Sequence, residues 1–339
     1  MSLHRPLVRT LAALTSVAAV AVSLTACGSD ASSSAAAATK ATDGTTQVTI
    51  AAKAGDSYPS TTLAVPEVAQ IRATLPAAVT QAGTLTIGIG ALPTGFPPLA
   101  YVGTDDSTLT GAEPDLGRLV AAVLGLKPEV VNATWDNLFV GIDSGRTDVG
   151  FSNITDTEKR KEKYDFASYR QDNLSFIVAA KSALTFSGDP APLAGLTIAV
   201  SAGTNQEKIL IEFSNKLKAE GKKPITIKYF ADTTSTWAAL ESGQIDAYFG
   251  PNPTNAYQVA QTKDRFRIAG TYSGAGSTLQ GLIAATVKKG SGLAEPVAKA
   301  IDYLIKNGQY ATWLKTYGIS NEAVTSSQIN PPGLPLDNS

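Results

Sequence analysis

The stretch SNITDTEKRKEKYDF, residues 152–166, sets hydroxyls, an amide and an arginine close together: Ser152, Asn153, Thr155 and Arg160. A guanidinium gives two parallel charge-assisted hydrogen bonds to a planar carboxylate and stays charged when partly desolvated. On composition alone, an arginine among lysines and glutamates is far more often a solvated surface charge. Thr204 and Asn205 stand where the strand LTIAV turns into the helix NQEKILIEF. There they offer a hydroxyl, an amide and helix N-terminal N–H donors to an anion, or simply cap the helix. Acid–base and nucleophilic chemistry have little to work with, because His4 and Cys27 are the only histidine and cysteine. The chain has no Cys/His cluster for zinc, no Gly-x-Ser-x-Gly elbow and no phosphate loop. Glu113 and Asp115 remain as carboxylates, and both read as first-turn acids of a helix. No enzyme, metal or cofactor is expected.

The N-terminus bears on location. Arg5 and Arg9 precede LAALTSVAAVAVSL, an apolar run short for a bilayer span but suited to the core of a signal peptide. It runs into LTAC, which resembles the lipobox of bacterial lipoproteins, in which the cysteine is lipidated and becomes the first residue. Residues 1–26 are therefore expected to be a lipoprotein signal peptide, with Cys27 the lipid anchor holding the protein at the extracytoplasmic face of the membrane. Their removal takes away Arg5, Arg9 and no acid, so the formal charge moves from −1 to −3. Neither value attracts nucleic acid. Residues 27–47, small and polar, read as a flexible tether reaching about 25 Å.

Hydrophobic residues make up 43% of the 339 positions and charged residues 17%, enough apolar material for about two globular domains. Residues 48–83 are expected as an extension, mainly helical, with Val68, Ile71 and Leu75 on one face and VTIAA as a short strand. From Thr84, strands alternate with helices: TLTIGIG, EPDLGRLVAAVLG, PEVVNATW, NLFVGIDSG capped by Asp136, then DVGFSN. DSGRTDVGFSN recurs as ESGQIDAYFGPN, with Gly145 matching Gly243 and Asp148 matching Asp246. Two copies of one helix-to-strand unit suggest two lobes of like construction.

In their order and spacing, TLTIGIG…FPPLAY, GAEPDLGRLVAAVLG, WDNLFVGIDSGRTDV, SNITDTEKR…YDF, AGTNQE, LESGQIDAYF and LIKNGQYATWLKTYGI resemble the type 2 periplasmic solute-binding proteins of amino-acid ABC transporters. The resemblance covers roughly 83–319. It implies an α/β fold of two lobes, each a mainly parallel sheet flanked by helices, joined by two crossing strands near NLSFIVAAK and LQGLIAATVKK. The expected division is 84–178 with 281–325 for lobe 1, 179–280 for lobe 2, and a tail, 326–339. A small carboxylate-bearing solute, a polar amino acid or a related compound, would lie between the lobes and be delivered by hinge closure to a permease and ATPase. A monomer is expected.

Carried over position by position, the resemblance makes Ser152, Asn153, Thr155 and Arg160 the carboxylate cradle. It makes Phe96 and Trp135 aromatic walls against the solute, and Thr204 and Asn205 the partners on lobe 2. Two positions depart from the pattern: Pro251 and Pro93 stand where acids usually receive an α-ammonium. Asn252 offers only a neutral oxygen nearby, so a solute whose nitrogen is missing or acylated becomes a rival to a standard amino acid. A carboxylate-using dehydratase on the same scaffold, or a sensor without a transporter, is the alternative function.

Overall fold

The computed structural model describes residues 37–230 and 232–335. The expected signal peptide and Cys27 lie outside the described residues. Regular structure begins inside the segment expected as tether. β1 (Ala38–Lys40), β2 (Thr45–Ile50) and β3 (Thr61–Pro66) form an antiparallel three-stranded sheet. In TTQVTI and TTLAVP, β-branched residues alternate so that Val48, Ile50 and Val65 are buried. The extension is therefore largely sheet, and its helical part is two short pieces, α1 (Ala69–Arg72) and α2 (Ala77–Ala82). Pro76 separates them, because proline lacks an N–H and pushes the residue before it out of the helical region.

The first lobe is built from β4 (Thr84–Ile89), the small hairpin β5 (Tyr101–Val102) and β6 (Leu109–Thr110), α3 (Ala112–Val123), β7 (Lys127–Asn132), α4 (Trp135–Ser144), β8 (Val149–Gly150) and β9 (Tyr164–Gln171). The second holds β10 (Asn173–Ala179), β11 (Thr197–Ala199), α5 (Asn205–Ala219), β12 (Thr226–Lys228), α6 (Thr233–Glu241), β13 (Ala247–Pro251), α7 (Asn252–Thr262) and β14 (Phe266–Ser273). The chain then returns to the first lobe as β15 (Leu282–Lys288), α8 (Ala294–Lys306) and α9 (Gln309–Thr316). The sheets run β7-β4-β8-β15-β9 and β12-β11-β13-β10-β14, each with three parallel strands followed by two antiparallel pairings. Because β10 pairs with β13 and β14, the first crossing falls at Asp172 and not at the boundary expected at 178. The second crossing lies between β14 and β15.

The repeated motif has a shared structural task. Asp148 and Asp246 each accept the backbone N–H of a residue in the neighbouring parallel strand, Thr86 and Thr197, at 2.7 Å in both lobes. Gly145 and Gly243, at φ 76° and 75°, end the preceding helices in the left-handed conformation that glycine adopts without strain.

Every residue of α3 is buried, not only its apolar stripe, because β2 and β3 cover the face that would otherwise meet water. Glu113 and Asp115 are first-turn acids of α3, as expected, and both are buried. Asp115 accepts from Arg118 at 2.6 Å and from the Ala51 amide at 2.7 Å. Arg170, fully buried on β9, bridges Glu113 at 2.8 Å and Glu322 at 2.5 Å, tying α3 to the segment after α9. The C-terminal tail packs closely on the lobes: Ser168 and Gln328 exchange hydrogen bonds, and Leu334 is buried in the second lobe's core.

Arg170→Met should lower unfolding free energy by about 3–5 kcal/mol, since it strands two buried carboxylates. Urea unfolding checks this, and adding Glu113→Gln and Glu322→Gln to the same chain should restore part of the loss.

Candidate functional site

Between the lobes lies a cavity of about 340 Å³, a size suited to a small solute. Lobe 1 contributes the turn 90–96 after β4, the start of α4 and the end of β8; lobe 2 contributes the β11–α5 turn, the start of α6 and the end of β13. These are the carboxyl ends of parallel strands, where open α/β sheets leave a crevice. The lobes already touch across it. Trp135 Nε1 donates to the Gly203 carbonyl at 3.2 Å, and Thr94 and Thr233 hydroxyls meet at 3.2 Å. Thr254 Oγ1 donates to the Phe96 carbonyl at 3.4 Å.

Six of the expected residues line this cavity: Phe96, Trp135, Ser152, Asn153, Thr204 and Asn205. Ser152 Oγ accepts the Gly90 amide at 2.8 Å, and Thr204 caps α5 by accepting from the Glu207 amide at 3.3 Å. Asn153, held at φ 52°, turns its oxygen onto Arg170.

Thr155, Arg160 and Asn252 are not among the lining residues. Arg160 packs against aromatic rings, its guanidinium carbon 5.5 Å from the ring centres of both Trp135 and Phe139. One nitrogen donates to the Thr155 carbonyl at 2.9 Å. Burial pushes its pKa down to about 10, opposed chiefly by the attraction of Asp172. Asn252 opens α7, while Pro251 before it faces the cavity.

The charged residues that do line the cavity are Asp136 and Asp232, one from each lobe. The α4 N-cap is Thr134, whose side chain accepts from the Asn137 amide, so Asp136 is left free of the capping task expected of it. Asp232 caps α6 by accepting the Ser235 amide at 2.7 Å, and that bond with the Ser235 hydroxyl holds its pKa below the usual carboxylate range. Phe230 and Tyr248 add aromatic surface beside it. Sequence reading missed these acids because each looked like an ordinary helix-start residue; the D-T-T-S cap at 232–235 was the available signal.

The sequence matches the profile of the bacterial extracellular solute-binding proteins, family 3, over residues 87–320. The chain belongs to this family. Among relatives of this family 3 protein, the arginine-binding protein ArgT of Corynebacterium glutamicum is 30% identical over 266 residues, 78% of this chain and 83% of the relative. A mutant of ArgBP from T. maritima superposes with a TM-score of 0.59 at 26% identity, covering 71% of this chain and 97% of that one. An ancestral arginine-binding protein bound to arginine gives 0.59 at 27%, covering 69% and 98%.

One polar cluster at the cavity floor joins both lobes of the family 3 chain. Asp172, at the first crossing, places Oδ2 2.7 Å from Thr155 Oγ1, which is also 2.8 Å from Asn205 Oδ1. Asn205 Nδ2 donates to the Gly274 carbonyl at 2.8 Å, so its oxygen must face Thr155. Thr155 Oγ1 has one hydrogen to share between these two acceptors. Burial pushes the Asp172 pKa up, against the opposing effects of Thr155, Arg170, Arg160 and Asn205. Burial likewise raises nearby Glu322 to about 7, with Asp172 adding to that rise.

A carboxyl whose pKa is higher folded than unfolded stabilises most at low pH, and loses that contribution as pH rises through the folded pKa. Stability should therefore fall from about pH 4 toward neutrality, by at most about 1.4 kcal/mol per pH unit for each such group. Asp172→Asn, which keeps a donor toward Thr155, should flatten this slope in unfolding midpoints measured across that range.

Proposed function

We propose that this chain is the substrate-binding component of an ABC importer, a monomer held at the extracytoplasmic face by lipid on Cys27. It closes its lobes over a small amino acid or amino-acid-like solute and presents the closed form to the permease and ATPase. The observation that carries this reading is the cavity itself: both lobes line it, hydrogen bonds cross its rim, and its walls are aromatic and polar. Relatives named as binding proteins favour binding over dehydration.

The solute's carboxylate would meet the amides and side chains at Ser152, Asn153, Thr204 and Asn205, with Arg160, packed against the Trp135 ring, supplying positive charge. To fork that carboxylate, Arg160 would have to turn from the Thr155 carbonyl toward the cleft. Asp136 and Asp232 take over the role that Pro93 and Pro251 leave empty and favour a solute that also carries a cation. Trp135, Phe96 and Phe230 supply flat surface for its chain. A guanidinium-bearing amino acid fits all of these features, and it is also what the ArgT name and the arginine-bound ancestral structure suggest.

Titration calorimetry with L-arginine, L-citrulline and L-glutamine tests the assignment. Asp232→Asn should weaken arginine about 10-fold or more and leave citrulline within about twofold, since it removes a charge partner and keeps the shape. Arg160→Ala should weaken all binders roughly 30-fold to several thousand-fold, the range for truncating one side of a partly buried charge pair. Equal affinities for wild type and Arg160→Ala would remove Arg160 from the site.

A further inference from the structure

The family match begins at residue 87, and the superposed arginine-binding proteins are covered almost fully by about 70% of this chain. The β1–β3 sheet therefore stands outside the shared two-lobed body. It is fixed to lobe 1, because β2 and β3 pack on α3. The loop between β2 and β3 is pinned there as well: the Ala51 amide donates to Asp115 and to the Tyr317 hydroxyl at 3.0 Å, and the Thr104 amide donates to the Lys53 carbonyl at 2.8 Å. Gly103 makes that approach possible, since a Cβ there would lie 2.7 Å from the Lys53 oxygen. Ala51 and Lys53 themselves adopt φ of 55° and 59°, a conformation unfavourable for non-glycine residues and sustained here by those bonds.

From this pinned base the loop reaches lobe 2. Tyr58 lies between Tyr317 of lobe 1, at 5.4 Å between ring centres, and Tyr257 on α7 of lobe 2, at 6.0 Å with the planes 25° apart. Next to it, Gln261 of α7 donates to the Ser57 hydroxyl at 3.3 Å. The same α7 carries Thr254, which holds the cleft rim at Phe96. A lobe rotation that opens the cleft must pull Tyr257 and Gln261 away from a loop that stays with lobe 1.

We propose that the N-terminal sheet is a clasp: its 51–60 loop inserts Tyr58 against lobe 2 and biases the protein toward the closed form, even without solute. The idea rests on closure of the two lobes over the cleft, and its test is made without any solute. The clasp raises solute affinity by making closure easier, at the expense of a larger open population to draw on for release.

The test uses the full chain with Cys27→Ser and spin labels on Val140→Cys of α4 and Ile211→Cys of α5, both exposed positions on helices whose starts meet at Trp135 and Gly203. Distances between the labels are measured with no solute present. The expected result is a populated short distance in the parent, with Tyr58→Ala and Tyr257→Ala each shifting the short-to-long ratio roughly 3- to 10-fold toward long, the scale of one aromatic pair. The double variant should shift it no further than either single change, and Tyr58→Phe should keep the parent distribution. Identical distributions in parent and single variants would overturn the clasp, as would additive shifts in the double variant or a parent showing the long distance alone. Failure of amino acids to bind would undo the functional proposal and leave these distances still decisive for the clasp.

Discussion

Two covalent crossings join the lobes, and both meet at one buried carboxyl. Asp172 lies in the first crossing, and Gly274, whose amide donates to the Asp172 carbonyl, lies in the second. The approach is so tight that a Cβ on Gly274 would fall 1.8 Å from Asp172 Oδ2. Thr155 of lobe 1 and Asn205 of lobe 2 complete the knot. An isolated carboxylate in such a place is expensive, and its partners or a proton must compensate. The relative placement of the lobes is thereby tied to a hydrogen-bond arrangement that includes Asn205 of the cavity wall.

Around that knot, the two lobes repeat one solution. In each, an aspartate after a glycine stop locks the central parallel strand to its neighbour, and the turns beyond the strand ends face the cleft. The lobes contribute differently: Trp135, with Arg160 against its ring, and Asp136 come from lobe 1, and Asp232 with Phe230 from lobe 2. Acids from both lobes and the rings of Phe96, Trp135, Phe230 and Tyr248 line this cleft.

Much of this was legible in the sequence. The strand–helix alternation, the duplicated D-S-G/E-S-G motif and the S-N-I-T-D-T-E-K-R run specified two α/β lobes and six of the cavity residues, because periodicity and turn chemistry are local properties. Asp136 and Asp232 were hidden because an acid at a helix start looks the same in sequence whether or not it lines a cleft. The contacts of Arg160 with the Trp135 and Phe139 rings join separate elements, which sequence alone does not bring together. The burial of Glu113, Asp115 and Arg118 was invisible for a related reason: α3 reads as amphipathic until a sheet from elsewhere in the chain covers its polar face. The lobe boundary was misplaced because β10 reads as a strand in either sheet, and only its pairing decides.

In the proposed mode of binding, one solute is held by both lobes at once. Hydrogen–deuterium exchange on the full chain, with and without an amino acid that calorimetry shows to bind, tests it directly. Amides at 90–96 and 152–155 in lobe 1 should slow together with those at 201–207 and 232–236 in lobe 2, since closure buries both walls. Slowing confined to one lobe, or absent from both despite measured binding, would contradict the account.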